Sequence, residues 1–272
     1  MNMFDIKGKV ALITGGAGGV GLELSKALLR NNLKGVALVD LNASLGEKAL
    51  QEIQSEFGKD KAIFLKADVT NIKQLDDAFK KTVEHYKSLD IVFNNAGILN
   101  DAIWEKEISI NVNGTVNVML LAFEKYLPAH KNGAEGLIVN TSSIAGIQSS
   151  GHLPIYCSTK HAVIGLTRSW GEPVFYDKNK VRVVAICPGV THTPLVSEID
   201  GKSLGGTHED CKSDVAAWPT QDPDVLARHA MEVVKYAPHG SIWVIEGGEP
   251  AYQYIHPDKS SMKQNVISRY YN

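Results

Sequence analysis

The sequence has few cysteines, no excess of charge of either sign and no long hydrophobic run. The three cysteines, Cys157, Cys187 and Cys211, are too few and too widely spaced for a disulfide framework or a CxxC zinc pair. With 28 basic and 30 acidic residues, the net charge of −2 excludes a nucleic-acid binder that works by bulk positive charge. No stretch approaches the roughly 18 apolar residues of a transmembrane helix, and residues 1–9 do not resemble a signal peptide. These absences predict a cytoplasmic protein with reduced thiols.

The 272 residues are instead rich in apolar segments, because hydrophobic residues make up 44% of them and 24 more are glycine. This composition excludes a disordered chain and supplies a sizeable core. Short β-branched runs alternate with segments of helical spacing, a pattern typical of a parallel sheet with helices on both faces. The runs lie at 10–14, 36–40, 62–67, 91–94, 137–141, 181–187 and 242–245. The sequence therefore predicts a doubly wound, three-layer α/β fold, whose ligands bind beyond the carboxyl ends of the strands.

A glycine-rich loop follows the first predicted strand. Five glycines occur within seven positions, at Gly15, Gly16, Gly18, Gly19 and Gly21, and a helical pattern begins directly after them. Such a loop lets the backbone approach a pyrophosphate without an intervening Cβ, and the start of the helix offers free N–H groups. The alternative is a glycine-rich turn that binds no ligand.

The second predicted strand ends at Asp40. A carboxylate there can accept hydrogen bonds from both hydroxyls of an adenosine ribose, and it would repel a 2′-phosphate. No Arg or Lys lies in the glycine loop or at Leu41 and the three residues after it. We therefore predict that the cofactor is NAD rather than NADP. The alternative is that Asp40 only caps the following helix.

The third and fourth predicted strands also end in residues that suit a nucleotide. Asp68 is placed to accept from the adenine amino group with Val69 against the ring, or else to cap the helix that starts near Asn71. The fourth strand ends in the sequence Asn-Asn-Ala-Gly at 94–97, where small residues let the backbone pass beside a cofactor.

The fifth predicted strand leads to a serine, a tyrosine and a lysine. Ser143 is followed thirteen residues later by Tyr156, and Lys160 comes four residues after that, on the same face of a helix. An ammonium beside a phenol is expected to lower the phenol pKa, which would make Tyr156 a general base, or a general acid in reverse. Ser143 can then hold the substrate oxygen. The alternative is an ordinary amphipathic helix face.

Four motifs in this order resemble the short-chain dehydrogenase/reductase family: Thr-Gly-x-x-x-Gly-x-Gly at 14–21, Asn-Asn-Ala-Gly at 94–97, Ser143 with Tyr156-x-x-x-Lys160, and Pro-Gly at 188–189. The resemblance spans residues 8 to 248. It is greatest to the group of NAD-dependent 15-hydroxyprostaglandin dehydrogenases and insect alcohol dehydrogenase-like proteins. It implies a seven-stranded Rossmann sheet, one catalytic domain over 1–272, no metal, and a homodimer or homotetramer.

The resemblance also assigns residue roles. Asn111 is the implied fourth catalytic residue, which holds a water that links Lys160 to solvent, and Lys160 also binds the nicotinamide ribose. Thr191 and Thr193 resemble the residues that bind the carboxamide. The predicted cofactor contacts are Gly15, Gly18, Gly19, Val20, Gly21, Asp40, Leu41, Asp68, Val69, Asn95, Ala96, Gly97, Tyr156, Lys160, Pro188, Gly189, Val190, Thr191 and Thr193.

Three segments bear on the substrate and on assembly. A lid with little helical periodicity is predicted over about 191–219, and a tail over about 250–272 either covers the pocket or a neighbouring subunit or is a polar extension. The predicted substrate contacts are Gln148, His152, Leu195 and Trp218, and His152 could bind the substrate or only line the wall. Pro173 is expected to end or kink the Tyr156 helix near Gly171, which puts the usual oligomer geometry in doubt.

These residues support three hypotheses about function. The first is an NAD-dependent dehydrogenase of a secondary alcohol on a lipophilic small molecule, such as a steroid, ecdysteroid, prostanoid or terpenoid alcohol. The second is a carbonyl reductase that uses the same site in reverse. The third is a catalytically silent cofactor-binding scaffold. The intact set of Ser143, Tyr156 and Lys160 argues against the third.

Overall fold

Within the described residues, the central sheet has eight strands, and seven of them run parallel. The computed structural model describes residues 3–204, 208–257 and 260. Within this part of the chain the strands are β1 (Val10–Thr14), β2 (Gly35–Asp40), β3 (Ala62–Lys66), β4 (Ile91–Asn94), β5 (Gly136–Thr141), β6 (Val181–Pro188), β7 (Val190–Thr191), β8 (Thr220–Gln221), β9 (Ile242–Ile245) and β10 (Tyr252–Tyr254). The sheet order is β10-β9-β6-β5-β4-β1-β2-β3, while β7 and β8 pair separately.

Helices cover both faces of this sheet. They are α1 (Gly19–Arg30), α2 (Ala43–Phe57), α3 (Ile72–Tyr86), α4 (Trp104–Ile108), α5 (Thr115–Leu120), α6 (Leu127–His130), α7 (Pro154–Trp170), α8 (Pro173–Asn179), α9 (Pro194–Ser197), α10 (His208–Ala217) and α11 (Pro223–Tyr236). Two π-helical segments, Ser109–Gly114 and Leu121–Tyr126, join α4, α5 and α6 into one continuous helical stretch. Among the described residues, no helix is both long and apolar enough to cross a membrane.

The predicted doubly wound α/β fold is confirmed, and all seven predicted strands are present within two residues of the predicted limits. The eighth strand, β10, is a difference. It lies in the predicted tail and pairs antiparallel with β9, with Gln253 opposite Trp243. The strand order reverses between β1 and β4, because β2 lies on one side of β1 and β4 on the other. A ligand cleft is therefore expected at the carboxyl ends of these two strands.

The core consists of the two faces of the sheet. Every residue of β1 and β4 is buried, as expected for strands with helices on both sides. One face packs against α1 and α11 through residues such as Leu24 and Leu226, and the other packs against α3 and the α5 region through Phe79 and Phe123. This burial holds the strand ends in fixed positions relative to one another.

The helix that carries Tyr156 and Lys160 ends where the sequence predicts. α7 stops at Trp170, Gly171 follows it, and Pro173 begins α8. A Cβ on Gly171 would lie 2.3 Å from the Cα of Gly240, so a glycine is required for this close backbone approach. The turn therefore fixes where α7 ends against the sheet.

Thr14 joins the carboxyl ends of β1 and β4. Its buried Oγ1 accepts hydrogen bonds from the N–H of Asn95 (3.0 Å) and of Ala96 (3.1 Å). The Asn95 side chain returns a hydrogen bond to the Thr14 carbonyl at 3.1 Å. The segment after β4 is thus held directly beside the glycine loop after β1.

Replacing the Thr14 hydroxyl tests this link. Thr14→Val keeps the shape but leaves two N–H groups without their acceptor, so we expect the free energy of unfolding to fall by about 2 kcal/mol. Thr14→Ser, which keeps the hydroxyl, is the matched control and should lose less than half as much. Urea denaturation measures both, and equal losses in the two variants would show that the methyl group, not the hydroxyl, matters.

Candidate active site

A cleft of about 560 Å³ lies beyond the carboxyl ends of β1, β4, β5 and β6. It extends from the glycine loop, past the first turns of α7, to the segment after β6. The predicted site residues that line it are Gly15, Gly18, Gly19, Val20, Asp40, Asn95, Ala96, Gly97, Ser143, Tyr156, Lys160, Pro188, Gly189, Val190, Thr191, Thr193, Leu195 and Trp218. Those that are not among its lining residues are Gly21, Leu41, Asp68, Val69, Asn111, Gln148 and His152.

The glycine loop has the shape of an anion cradle. Gly15 has a φ of +64°, and a Cβ on Gly21 would lie 2.1 Å from the Gly15 carbonyl oxygen, so both positions require glycine. The first turn of α1 has no side-chain cap and no acidic residue, while Gly18, Gly19 and Val20 line the cleft. Its free N–H groups and the positive end of the helix dipole fit a pyrophosphate.

Asp40 lies at the edge of this cradle. Its carboxylate accepts hydrogen bonds from the N–H of Ala17 at 3.1 Å and of Asn42 at 2.9 Å. The α2 helix is capped by the side chain of Asn42, which accepts from the N–H of Leu45. The alternative role for Asp40, as a helix cap, is therefore wrong. A carboxylate fixed here on the cleft wall suits the two hydroxyls of a ribose.

The residues predicted to contact adenine lie beside the cleft rather than on its wall. Asp68 is half-buried, and its Oδ1 accepts from both the N–H (2.8 Å) and the hydroxyl (2.7 Å) of Thr70. Asn71, not Asp68, caps α3 through hydrogen bonds from Lys73 and Gln74. The alternative role for Asp68 is thus wrong as well, while its contact with adenine stays a prediction. Leu41 is exposed.

Ser143, Tyr156 and Lys160 meet on the cleft wall. Tyr156 and Lys160 are buried on one face of α7, and the Lys160 Nζ lies 5.6 Å from the centre of the Tyr156 ring. The ammonium donates to the Thr141 carbonyl at 3.1 Å. The Ser143 Oγ accepts from the Ala145 N–H at 3.1 Å. Lys160 and Ser143 are therefore held by backbone groups at the end of β5 and in the turn that follows it.

Burial controls the ionisation of these side chains. It raises the pKa of Tyr156 well above its ordinary value, while a hydrogen bond with Ser143 acts in the opposite direction. Burial lowers the pKa of Lys160 to about 8, and the charges that Cys187 and Glu107 would carry when ionised act in the opposite direction. The expectation that Lys160 would bring the Tyr156 pKa below its usual value is not met here, because the loss of hydration on burial is the largest effect on the phenol.

Asn111 lies in the π-helical segment Ser109–Gly114, directly behind the cleft. Its buried side chain exchanges two 2.8 Å hydrogen bonds with the backbone of Ile98 and donates to the Thr159 hydroxyl at 3.1 Å. A Cβ on Gly97 would lie 3.2 Å from the Asn111 Oδ1 and 3.3 Å from the Lys160 Nζ. The two polar groups therefore meet at Gly97, and the water relay stays a prediction.

An apolar wall surrounds Tyr156, and the sequence predicted only part of it. Leu99, Leu153 and Ile199 pack around Tyr156, with Leu195 and Val215 at the margin. Their separation along the chain leaves no local pattern that could have identified them. Gln148 is exposed and His152 half-buried, and neither reaches the lining of the cleft.

The predicted lid has more regular structure than its sequence indicates. It contains α9 and α10, and its two ends are joined by the parallel pairing of β7 with β8. Gln221 in β8 is buried and donates to the Ile245 carbonyl at 2.7 Å, which attaches the lid base to the main sheet. Among the α10 residues whose burial is described, Cys211 is buried and Val215 is half-buried.

The chain is similar to a known protein family and to several characterised proteins. The family described as short chain dehydrogenase matches residues 9–203. Rat 15-hydroxyprostaglandin dehydrogenase, named for NAD(+), is 36% identical over 85% of this chain and 87% of that protein. Alcohol dehydrogenase 1 of Ceratitis capitata is 31% identical over 90% of this chain and 94% of that protein. The structure of 3-ketoacyl-(acyl-carrier-protein) reductase from Brucella melitensis, complexed with NADH, has a TM-score of 0.72 at 25% identity and covers 89% of this chain and 98% of its own.

The cradle makes a prediction about stability. Gly21→Ala places a methyl group against the Gly15 carbonyl, which belongs to the backbone and cannot rotate away, so we expect a loss of about 2 kcal/mol or more. Gly18→Ala is the matched control, because nothing lies within 4 Å of its Cβ position and its φ is −171°. Thermal unfolding compares the two, and equal stability would contradict the tight turn.

Proposed function

The chain belongs to the short chain dehydrogenase family, and from this premise we propose that it is an NAD(H)-dependent oxidoreductase. The proposed reaction interconverts a secondary alcohol and a ketone on a lipophilic small molecule. One observation carries the proposal: a single cleft holds both the glycine cradle with Asp40 and the Ser143–Tyr156–Lys160 trio. The relatives named for NAD(+) and NADH support the choice of cofactor.

The cleft fits a nicotinamide dinucleotide by its donor groups and its shape. The glycine loop and the start of α1 would hold the pyrophosphate, and Asp40 the adenosine ribose. Thr191 and Thr193 would hold the carboxamide, and Lys160 the second ribose. When bound, NAD(+) supplies a carbon that accepts hydride from the alcohol. Thr193 is close to the cradle, because a Cβ on Gly19 would lie 3.4 Å from its methyl group.

The protein residues orient the substrate and move a proton. Ser143 donates a hydrogen bond to the substrate oxygen, and Tyr156 takes the hydroxyl proton in oxidation or returns it in reduction. Lys160 places a positive charge beside the phenol, which favours its ionised form. Because burial opposes ionisation of Tyr156, oxidation should be favoured by alkaline pH. Asn111 would complete the path of the proton from Lys160 to solvent.

The apolar wall argues for the substrate class. Among the described residues that line the cleft, Asp40 and Lys160 are the charged ones, and both belong to the cofactor or catalytic part. A phosphate or carboxylate on the substrate would therefore find no counter-ion beside Leu99, Leu153 and Ile199. Steroids, ecdysteroids, prostanoids and terpenoid alcohols fit this wall, and the names of the prostaglandin and alcohol dehydrogenase relatives agree with a hydroxyl substrate.

Organisation, assembly and location are also proposals. We infer one catalytic domain over 1–272, because cofactor and catalytic residues share one sheet. A homodimer or homotetramer is supported by the resemblance and by exposed apolar side chains such as Trp104 and Leu120 on the α4–α6 stretch. Three reduced, buried cysteines support a cytoplasmic location.

Asp40 provides a test of cofactor choice. The wild-type protein should use NAD in preference to NADP, and Asp40→Ala should lower kcat/KM for NAD by about 10- to 100-fold because charge-assisted hydrogen bonds to the ribose are lost. Asp60→Ala, at an exposed acid outside the cleft, is the control and should change nothing. Steady-state kinetics with NAD and with NADP measures these effects, and a wild-type preference for NADP would refute the assignment of NAD as the cofactor.

Tyr156 provides a test of the reaction itself. A screen by NADH fluorescence against hydroxysteroids, ecdysteroids, prostanoids and terpenoid or short-chain alcohols should identify an active substrate. With that substrate, Tyr156→Phe should lower kcat by about 10²–10⁴-fold, the usual contribution of a general base, while NADH binding persists. The exposed Tyr236→Phe serves as the control.

The outcomes of this experiment separate the alternatives. Turnover that survives in the Tyr156→Phe protein would mean that another group moves the proton. Activity with ketones and NADH that exceeds alcohol oxidation at cellular cofactor ratios would favour the carbonyl reductase. Complete inactivity with both cofactors would favour the silent scaffold.

A further inference from the structure

Two buried carboxyl groups lie against the first turn of α7, and the mechanism above uses neither. Asp101, in the short 3-10 turn Asp101–Ile103, and Glu107, in α4, both have no exposed surface. Burying a carboxyl group costs free energy unless hydrogen bonds compensate for the lost hydration, so the partners of these two groups must be identified. The partners of Asp101 lie in the backbone of the catalytic helix.

Asp101 caps α7 from a distant part of the chain. Its Oδ2 accepts from the N–H of Ile155 at 2.8 Å, and its Oδ1 accepts from the N–H of Tyr156 at 3.0 Å. The residue that precedes the helix, Leu153, has no side chain able to cap it, and Pro154 has no N–H. The first two free donors of α7 therefore bond to one carboxylate, and one of them belongs to Tyr156 itself.

Glu107 supports this carboxylate from α4. Its Oε1 accepts from the N–H of Asn100 at 2.8 Å, the residue just before Asp101. Its Oε2 is buried and accepts no hydrogen bond from the described part of the chain. A proton on Oε2 would give this atom a donor role, and the Asp101 carboxyl is its hydrogen-bonding neighbour.

The surroundings of Asp101 and Glu107 favour a state in which Glu107 holds a proton and donates it in a hydrogen bond to Asp101. Burial, the charge of Asp101 and the hydrogen bond with Asp101 raise the pKa of Glu107 from its ordinary 4.5 to about 7, against the opposing effects of the Asn100 N–H and of Lys160. The titratable groups facing the pair from α7 are Tyr156, Cys157 and Lys160, and the π-helical segment Ser109–Gly114 contributes none. The charge of an ionised Glu107 raises the pKa of both Tyr156 and Lys160.

We propose that Asp101 and Glu107 are positioning residues for Tyr156. The Asp101 carboxylate fixes the first turn of α7, and protonated Glu107 holds that carboxylate and keeps a second negative charge away from the phenol. This inference rests on the proposed function, since it assigns a role to residues behind the proposed general base.

Glu107→Gln tests the proton. The amide mimics the protonated acid, because it donates to Asp101 and still accepts from the Asn100 N–H. Above pH 7 the wild-type protein gains a charge that the variant lacks. The rise of kcat/KM for alcohol oxidation with pH should therefore begin at least about 0.5 pH unit lower in the variant. The matched control is Glu105→Gln, an exposed acid on the same helix, which should keep the wild-type profile. An unshifted profile in Glu107→Gln would overturn the proposal.

Asp101→Asn tests the cap. In this variant one acceptor oxygen is replaced by an amide NH2, which faces a backbone N–H of α7 and cannot accept from it. Tyr156 should therefore shift, and kcat should fall at least about tenfold, while the KM for NAD should change less than about threefold. A variant that melts at a lower temperature but keeps wild-type kcat and pH profile would show that Asp101 is only structural. If this variant does not fold, the pH profile of Glu107→Gln decides alone.

Melting temperature gives a readout that needs no substrate. Since the pKa of Glu107 is higher in the folded protein than in the unfolded chain, its proton stabilises the fold fully below about pH 4.5, and that contribution is lost as the pH rises through about 7. The Glu107→Gln variant has no such proton to lose. The difference between its melting temperature and that of the wild-type protein should therefore increase from pH 5 to pH 8. A melting-temperature difference between the two proteins that does not change with pH would refute the proton shared by Asp101 and Glu107. An inactive wild-type protein would refute the proposed function and leave this comparison intact.

Discussion

The contact between the carboxyl ends of β1 and β4 is the constraint on which the cleft depends. At this point the strand order reverses, and the hydroxyl of Thr14 and the amide of Asn95 tie the two strand ends together. The glycine loop turns directly above this link, close enough that a Cβ on Gly15 would lie 3.0 Å from the Cα of Ala96. The cradle for a pyrophosphate and the path towards Gly97 are therefore parts of one rigid junction.

A second constraint is the burial of two ionisable side chains in the wall of the cleft. Tyr156 and Lys160 are both buried, and burial moves their pKa values towards the neutral forms, up for the phenol and down for the amine. Charges placed around them therefore have large effects, since little water screens them. The buried groups behind α7, including Glu107 and Cys187, then belong to the electrostatics of the site as much as the residues on its surface do.

Much of the fold and of the cofactor side could be predicted, because the signals are local. A buried parallel strand is a short apolar run, and the glycines at Gly15 and Gly21 follow such a run directly. Tyr156 and Lys160 share a helix face through their spacing alone. Leu195 and Trp218 were predicted and line the cleft, but Leu99, Leu153 and Ile199 could not be predicted, because they come together only through tertiary packing. Nor could the Asp101 cap, since a carboxylate that caps a helix from more than fifty residues away leaves no sequence pattern.

The pairing of β7 with β8 has a consequence for how proteins of this architecture can diversify. It brings the first and last residues of the lid together at the main sheet, so the segment between them is a closed loop with a fixed base. The entropy of closing such a loop grows only slowly with its length. Insertions, deletions or exchanged helices within the loop would thus leave Thr191 and the sheet undisturbed. A lid of different length or composition beyond Thr193 can therefore be exchanged, by evolution or by an engineer, while Thr193 keeps its place beside the glycine loop.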